Sequence, residues 1–272
     1  MRYTYLLAVL SLTAFCSLLK AQPKPYSIGE IVELDSKILS EKRILNIYLP
    51  QGYSQNDTAS YPVIYLLDGS AHEDFLHIVG LVQFFNLQLR MPETIVVGIA
   101  NVDRRRDFTF PTKVQELKAA YPTTGSSAPF MDFIEKELQP FVDKHYKTSS
   151  AKMLIGQSLG GLLATEILLK KPELFSSYLI VSPSLWWDDQ SLLQEAPQWL
   201  AQQRDSERQV YISVGKEGKV MERDARQLVQ VLKKSGKRNL RTDFVYLPKE
   251  NHATILHKSI YEAFNLRYPY KE

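Results

Sequence analysis

Ser158 is the residue of this sequence best suited to nucleophilic chemistry. It lies at the centre of the segment Gly-Gln-Ser-Leu-Gly, residues 156–160, which follows an apolar run and precedes apolar residues at helical spacing. A serine between a strand and a helix, with a glycine two positions away on each side, is typical of a sharp turn that lifts the hydroxyl clear of a sheet. We expect a strained turn whose tight backbone excludes side chains at both glycine positions. The pattern therefore predicts a nucleophilic serine.

A serine hydroxyl needs a base, normally a histidine that a carboxylate orients. In folds with this turn the chain order is serine, acid, histidine, and two histidines, His252 and His257, follow Ser158. His252 lies in a polar loop after the last predicted strand, whereas His257 falls inside the next helical pattern. We therefore predict that His252 is the general base.

Three acidic residues are candidates for the third position. Glu217 follows the strand predicted over residues 209–214, and Glu222 and Asp224 lie on the helix that comes next. Acidic residues at a helix start also stabilise the helix dipole, and that role suits Asp224. We favour Glu217 and keep Glu222 and Asp224 as alternatives.

Two backbone N–H groups are candidates for an oxyanion hole. Leu159 follows the serine at a helix start, where unpaired donors and the positive end of the dipole favour negative charge. The second donor of such sites comes from the loop after an earlier strand. Here that loop covers residues 68–71, so we predict the N–H of Ser70, with Gly69 permitting the close turn.

The start of the chain has the pattern of a secretory signal. The chain has 272 residues, 44% hydrophobic and 23% charged, which suits one large α/β domain. Residues 1–21 contain a basic residue, an apolar run shorter than a membrane span and a final small residue. We predict a cleaved signal peptide at 1–21 and a single domain at 22–272, periplasmic or secreted and without stable membrane insertion. A retained anchor helix or a lipid on Cys16 is the alternative.

Charge and cysteine content argue against several partners. Removing Arg2 and Lys20 with the predicted signal leaves 31 basic against 30 acidic residues, so there is no basic excess to bind nucleic acid. The single cysteine, Cys16, lies in the predicted signal, which leaves no disulfide or cysteine–metal site. The histidines outside the proposed site lack metal-ligand spacing. We expect no nucleic acid, no metal and no cofactor; the sequence gives no indication of oligomeric state.

The pattern around these residues predicts an α/β fold. Alternating apolar and polar residues at 30–39 and 43–49 predict an antiparallel hairpin. From residue 61 onward strand and helix patterns alternate, which predicts a mostly parallel sheet with helices on both faces. The predicted strands cover 61–67, 94–100, 153–155, 178–181, 209–214 and 242–247, and the predicted helices cover 75–89, 130–146, 162–168, 191–203, 219–234 and 254–266, with a polar loop at 101–113. Ligands of such sheets bind at the carboxyl ends of the strands.

Five segments together resemble an esterase family of the α/β-hydrolases that includes enterochelin-esterase-like, siderophore and feruloyl esterases. They are Leu-Asp-Gly at 67–69, the Arg-Arg-Arg-Asp-Phe-Thr loop within 101–109, the sharp turn around Ser158 at 156–161 (the nucleophile elbow), Ser-Pro-Ser-Leu-Trp-Trp at 182–187 and Glu-Asn-His at 250–252. The resemblance implies an α/β-hydrolase fold, hydrolysis of carboxylic esters without a cofactor, and a pair formed by Ser158 and His252. Gln157 departs from the His or Tyr common in the family, and Phe110 from Pro. The position of the acid varies among relatives.

Four residues are predicted to bind substrate. Trp186 and Trp187 follow the end of a strand and would stack on an aromatic or sugar group; the alternative is a buried aromatic plug. Arg104 and Arg105 would bind an anion such as a catecholate, because guanidinium recognises planar anions well. For the neighbouring Arg106 we favour a structural ion pair with a loop acid.

These inferences predict an exported serine esterase that forms an acyl-enzyme and acts on a small-molecule or glycan ester, either a siderophore lactone or an acylated glycan. Acyl transfer on the same site is one alternative. A catalytically inactive hydrolase-fold protein that binds its ligand is the other.

Overall fold

The computed structural model describes residues 24–56 and 58–270. The predicted signal peptide and Cys16 lie outside these residues, so export and the domain start stay predictions. Within the described residues, no helix combines the length and apolar character that crossing a membrane requires.

A single eight-stranded sheet with the order β1-β2-β4-β3-β5-β6-β7-β8 forms the centre of the molecule. The hairpin of β1 and β2 is antiparallel, β2 joins β4 antiparallel, and every later pairing is parallel. This confirms the predicted α/β class and the N-terminal hairpin. The strands are β1 (Glu30–Ser36), β2 (Glu41–Tyr48), β3 (Tyr61–Leu66), β4 (Ile95–Ile99), β5 (Thr148–Gln157), β6 (Ser177–Val181), β7 (Arg208–Gly215) and β8 (Leu240–Leu247).

Helices cover both faces of the sheet. One apolar core cluster joins α1 and α9 to one face, and a larger cluster joins the other helices, chiefly α4 to α8, to the opposite face. The helices are α1 (Phe75–Leu87), α2 (Arg104–Phe108), α3 (Gln115–Ala120), α4 (Ser127–Phe133), α5 (Gln139–His145), α6 (Leu159–Lys170), α7 (Trp187–Gln202), α8 (Lys219–Lys234) and α9 (Ile255–Arg267), with a π-helical turn at Ile134–Leu138 and a 3₁₀ turn at Pro172–Leu174.

Several predicted segments differ from the observed elements: β5 and α7 begin earlier than predicted, α3 was not predicted, and two further differences have a clear local cause or extent. The predicted loop at 101–113 contains the short helix α2, because Asp103 caps it by accepting a hydrogen bond from the Arg106 N–H at 3.0 Å. The predicted helix at 130–146 begins earlier and continues through the π-helical turn.

The order of strands β5 to β8 brings the predicted catalytic residues to one edge of the sheet. These four strands are neighbours and run parallel. Ser158 follows β5, Glu217 follows β7 and His252 follows β8. Since the carboxyl ends of parallel strands meet at the same edge, three residues far apart in sequence converge there.

A buried ion-pair network ties the N-terminal hairpin to α2. Arg43 Nη1 lies 2.7 Å from Asp107 Oδ2, and both side chains are fully buried. Arg106 Nε lies 2.7 Å from Asp107 Oδ1, and Arg106 also pairs with Glu41. This confirms the structural ion pair favoured for Arg106. Removing Arg43 or Asp107 would leave the other buried charge with one partner in place of two.

We predict that Asp107→Ala lowers the free energy of unfolding by about 3 kcal/mol, because the buried Arg43 would lose its fully buried carboxylate partner and keep only Glu41. Urea unfolding measures this change. The matched control is Asp132→Ala, which removes a partly exposed partner of Lys171 and Lys136 and should cost no more than about 1 kcal/mol. Equal losses in the two variants would contradict the role given to the network.

Candidate active site

The turn at Ser158 is as strained as the sequence predicts. Ser158 has φ 59° and ψ −119°, and its N–H donates to the Val181 carbonyl at 3.1 Å. A Cβ added to Gly156 would lie 2.4 Å from the Gly160 carbonyl oxygen, so no side chain fits there. At Gly160 the nearest neighbour would be 3.4 Å away, whereas at Gly161 the Pro183 Cα would be 2.9 Å away. The second position without room for a side chain is therefore Gly161. The sequence-based prediction that it would be Gly160 is wrong.

Ser158, His252 and Glu217 form a continuous line of hydrogen bonds. His252 Nε2 lies 3.0 Å from Ser158 Oγ, and His252 Nδ1 lies 2.5 Å from Glu217 Oε2. The His252 side chain is about half exposed (48%), while the Glu217 side chain is 2% exposed. The line thus runs from a buried carboxylate to a hydroxyl that is accessible from solvent, which is the arrangement that activates a serine.

The surroundings of Glu217 keep its carboxylate charged. Burial alone would raise the pKa of this carboxyl. Hydrogen bonds from His252, from the Ser182 hydroxyl and from the Gly215 N–H outweigh burial and lower the pKa below its usual value. The Ser182 hydroxyl and the Gly215 N–H both donate to Oε1, at 2.5 and 2.8 Å, which leaves Oε2 for the imidazole.

The two alternative acids lie elsewhere. Asp224 is fully buried, and its Oδ1 accepts from Arg223 at 2.9 Å. Glu222 lies in the first turn of α8, with its N–H bonded to the Gly218 carbonyl. Of the three candidates, Glu217 is the one that the fold brings to His252.

The two predicted oxyanion donors differ in their surroundings. Leu159 begins α6, so its N–H is one of those that a helix start leaves without an intrahelical acceptor. The N–H of Ser70 donates to Glu73 Oε2 at 3.3 Å. This amide can receive an oxyanion only after the Glu73 carboxylate moves away. The loop itself is well held, because Gly69 packs against the backbone of Gly98.

A cleft of about 630 Å³ opens beside the serine, a size typical of small-molecule sites. Trp186 lines it, as predicted from the sequence. Trp187 does not: its side chain is fully buried and its Nε1 donates to the Phe110 carbonyl at 2.9 Å. The prediction that Trp187 binds substrate is therefore wrong, and the alternative of a buried aromatic plug describes it. The cleft is lined by Ser158, Ser184, Trp186, Lys216, Glu217, Met221, Asn251, His252 and Ala253.

Arg104 and Arg105 are not among the residues that line this cleft. Arg104 makes a bidentate pair with Asp68, with Nε 2.6 Å from Oδ1 and Nη2 2.8 Å from Oδ2. Arg105 lies over the ring of Tyr121, 4.8 Å from its centroid. The predicted anion-binding role of Arg104 and Arg105 therefore stays a prediction, and in this structure Arg104 already has a carboxylate partner while Arg105 stacks on an aromatic ring.

Several residues at the site went unnoticed as contributors in the sequence. Ser184 Oγ lies 3.3 Å from Ser158 Oγ, and Gln157 Nε2 donates to the His252 carbonyl at 2.5 Å. Lys216 brings a positive charge to the cleft wall. The segment Ser-Pro-Ser-Leu-Trp-Trp was the signal for Ser182 and Ser184, since it directly follows a predicted strand. Among the described residues, no group of three or more His, Cys, Asp or Glu side chains is arranged to hold a metal.

The sheet, the elbow and the helices on both faces are those of an α/β-hydrolase. A model of the family described as "Putative esterase" matches residues 36–259. The ferri-bacillibactin esterase BesA of Bacillus subtilis (strain 168) is 28% identical over 244 residues, covering 80% of this chain and 82% of BesA.

Solved structures agree with this class. An IroE-like serine hydrolase from Shewanella oneidensis is 30% identical, with a TM-score of 0.80 over 88% of this chain and 80% of that one. The BES protein from Bacillus cereus is 28% identical, with a TM-score of 0.78 over 92% of this chain and 97% of its own. The chain belongs to the putative esterase family, and it is a carboxylic ester hydrolase.

We predict that Glu217→Ala lowers kcat by about 10⁴-fold, because the imidazole would lose the carboxylate that fixes its tautomer and orientation. Hydrolysis of p-nitrophenyl acetate measures the change. Glu222→Ala is the matched control, an acid five residues on in the chain and outside the line of hydrogen bonds, and it should leave kcat within about twofold. A larger loss in Glu222→Ala than in Glu217→Ala would reverse the assignment of the acid.

Proposed function

We propose that this protein is a serine esterase in which Ser158 is the nucleophile, His252 the general base and Glu217 the acid that orients it. The observation that carries the proposal is the line of hydrogen bonds from Glu217 Oε2 through both imidazole nitrogens to Ser158 Oγ, at 2.5 and 3.0 Å. The 3.0 Å between His252 Nε2 and Ser158 Oγ is within the range that general-base catalysis needs.

Acylation begins when Ser158 Oγ attacks the ester carbonyl carbon and its proton passes to His252 Nε2. The carbonyl oxygen becomes an oxyanion, which the Leu159 N–H stabilises, joined by the Ser70 N–H once Glu73 has moved. Each such donor contributes about 3 kcal/mol to the transition state. The tetrahedral intermediate then breaks the bond to the leaving oxygen, His252 returns the proton to that oxygen, and the alcohol departs.

Deacylation uses the same groups with water as the nucleophile. His252 Nε2 takes a proton from water, the resulting oxygen attacks the acyl carbon, and the bond to Ser158 Oγ breaks. The proton returns to Oγ and the carboxylic acid leaves. The half-exposed side chain of His252 supports this step, because water can reach the imidazole directly.

For the substrate we propose a siderophore ester with an aromatic, anionic ligand group. Relatives named as ferri-bacillibactin esterase and as siderophore triacetylfusarinine C esterase support the class. In the cleft, Trp186 offers an aromatic face for stacking and Lys216 a cation for an anionic ring substituent.

Reaction of the protein with a fluorophosphonate probe tests the nucleophile. We expect one covalent adduct, on Ser158, together with release of p-nitrophenol from p-nitrophenyl acetate. Ser158→Ala should abolish both, whereas Ser150→Ala, which replaces an exposed serine on β5, should change neither. An unlabelled and inactive protein would instead favour a ligand-binding protein without turnover.

A comparison of substrates tests the proposed class. We expect kcat/KM for a catecholate trilactone to exceed that for acetylated and feruloylated oligosaccharides by at least about tenfold, and Trp186→Ala to raise KM for the trilactone. Adding an acceptor alcohol separates hydrolysis from acyl transfer, because a transferase would form the new ester in preference to the acid. A preference for the oligosaccharides would overturn the siderophore assignment.

A further inference from the structure

The tripeptide Ser182-Pro183-Ser184, between β6 and α7, contacts both ends of the hydrogen-bonded line. Ser182 Oγ donates to Glu217 Oε1 at 2.5 Å, and Ser184 Oγ lies 3.3 Å from Ser158 Oγ. Both serine side chains are buried, with residue exposures of 0 and 2%. The two hydroxyls belong to one short segment, so the line and the tripeptide together form a closed ring.

The direction of each hydrogen bond follows from the chemistry of the groups. The Glu217 carboxylate can only accept, so Ser182 donates to it. If Ser158 donates its proton to His252 Nε2, its oxygen is left to accept from Ser184. That contact is long in the resting structure and should shorten while the proton leaves Ser158 Oγ for His252, since catalytic hydrogen bonds tighten along the reaction. Ser182 therefore donates to the acid and Ser184 donates to the nucleophile, and both hydrogen bonds can exist while Ser158 donates to His252.

The backbone of the tripeptide is itself held in place. The Ser182 N–H donates to the Ser213 carbonyl at 2.8 Å, and the Ser184 N–H donates to the Ser158 carbonyl at 3.0 Å. Ser182 has φ 42°, a conformation that persists only where the surroundings impose it. The ring of Pro183 fixes the φ angle of that residue, and Pro183 packs against Gly161 of α6. A segment anchored at each residue can fix the separation of two side chains.

We propose that Ser182 and Ser184 are positioning residues that hold the acid and the nucleophile at a fixed separation, so that one imidazole reaches both. This proposal rests on the proposed roles of Ser158, His252 and Glu217. It assigns the tripeptide a function in turnover that is separate from folding.

The test compares single variants by kcat and KM for p-nitrophenyl acetate, with the melting temperature measured for each. A hydrogen bond to a charged group contributes more than one between neutral groups. We therefore expect Ser182→Ala to lower kcat about 20-fold and Ser184→Ala about fivefold, with KM within about twofold. Ser184→Thr, which keeps a hydroxyl, should recover most of the loss.

Two controls separate the hydroxyl from the backbone and from burial. Ser182→Gly also removes the hydroxyl but relieves the positive φ, so it should lose as much kcat as Ser182→Ala. Ser259→Ala removes a buried hydroxyl that bonds to Ser213 Oγ at 2.6 Å, away from the line, and should leave kcat unchanged.

The proposal is overturned if Ser182→Ala and Ser184→Ala keep kcat within twofold, or if Ser259→Ala loses as much kcat as they do. Ser158→Ala, measured beside them, distinguishes a failure of the positioning role from a failure of the proposed function. If it is inactive while the two serine variants are normal, the positioning role alone fails. If Ser158→Ala is fully active, the proposed function fails.

Discussion

The two hydrogen bonds of His252, to the buried Glu217 carboxylate and to the partly exposed Ser158 hydroxyl, set the demands that the surrounding fold has to meet. A single imidazole ring spans a fixed distance, so its two nitrogens reach both partners only if the ends of three strands are held to within a fraction of an ångström. The parallel order β5-β6-β7-β8 provides that alignment. The tripeptide Ser182-Pro183-Ser184, which contacts both the nucleophile and the acid, directly follows β6, the strand that lies between β5 and β7.

The strain at the nucleophile is compatible with a stable fold because packing around it leaves no alternative. A residue held at positive φ costs about 1–3 kcal/mol and persists only where its surroundings determine it. The Ser158 N–H donates to the Val181 carbonyl, and the Ser158 carbonyl accepts from the Ser184 N–H. Gly156, two residues earlier, packs closely against the start of α6. The buried Arg43–Asp107 pair performs a similar task further away, by fixing α2 and with it Arg104 against Asp68.

The sequence was sufficient to predict the class of fold and the three residues that meet at the strand ends. Order along the chain and position after a strand are local signals, and they identified Ser158, His252 and Glu217. Contacts between distant side chains are not local signals. The pairing of Arg104 with Asp68 and the hydroxyl contacts of Ser182 and Ser184 depend on neighbours that only the folded chain brings together. Trp187 was misassigned for a related reason: the sequence does not show in which direction each of two adjacent side chains points, and in the fold Trp186 faces the cleft while Trp187 enters the core.

The role of His252 is best measured by the rate at which a fluorophosphonate inactivates His252→Gln, because this reaction needs the activated hydroxyl but no substrate recognition. We expect modification of Ser158 in the unchanged protein and a second-order rate constant at least about 10³-fold lower in the variant, with an unchanged melting temperature. Equal rates in the two proteins would mean that the hydroxyl is reactive without the imidazole, and that His252 does not activate Ser158.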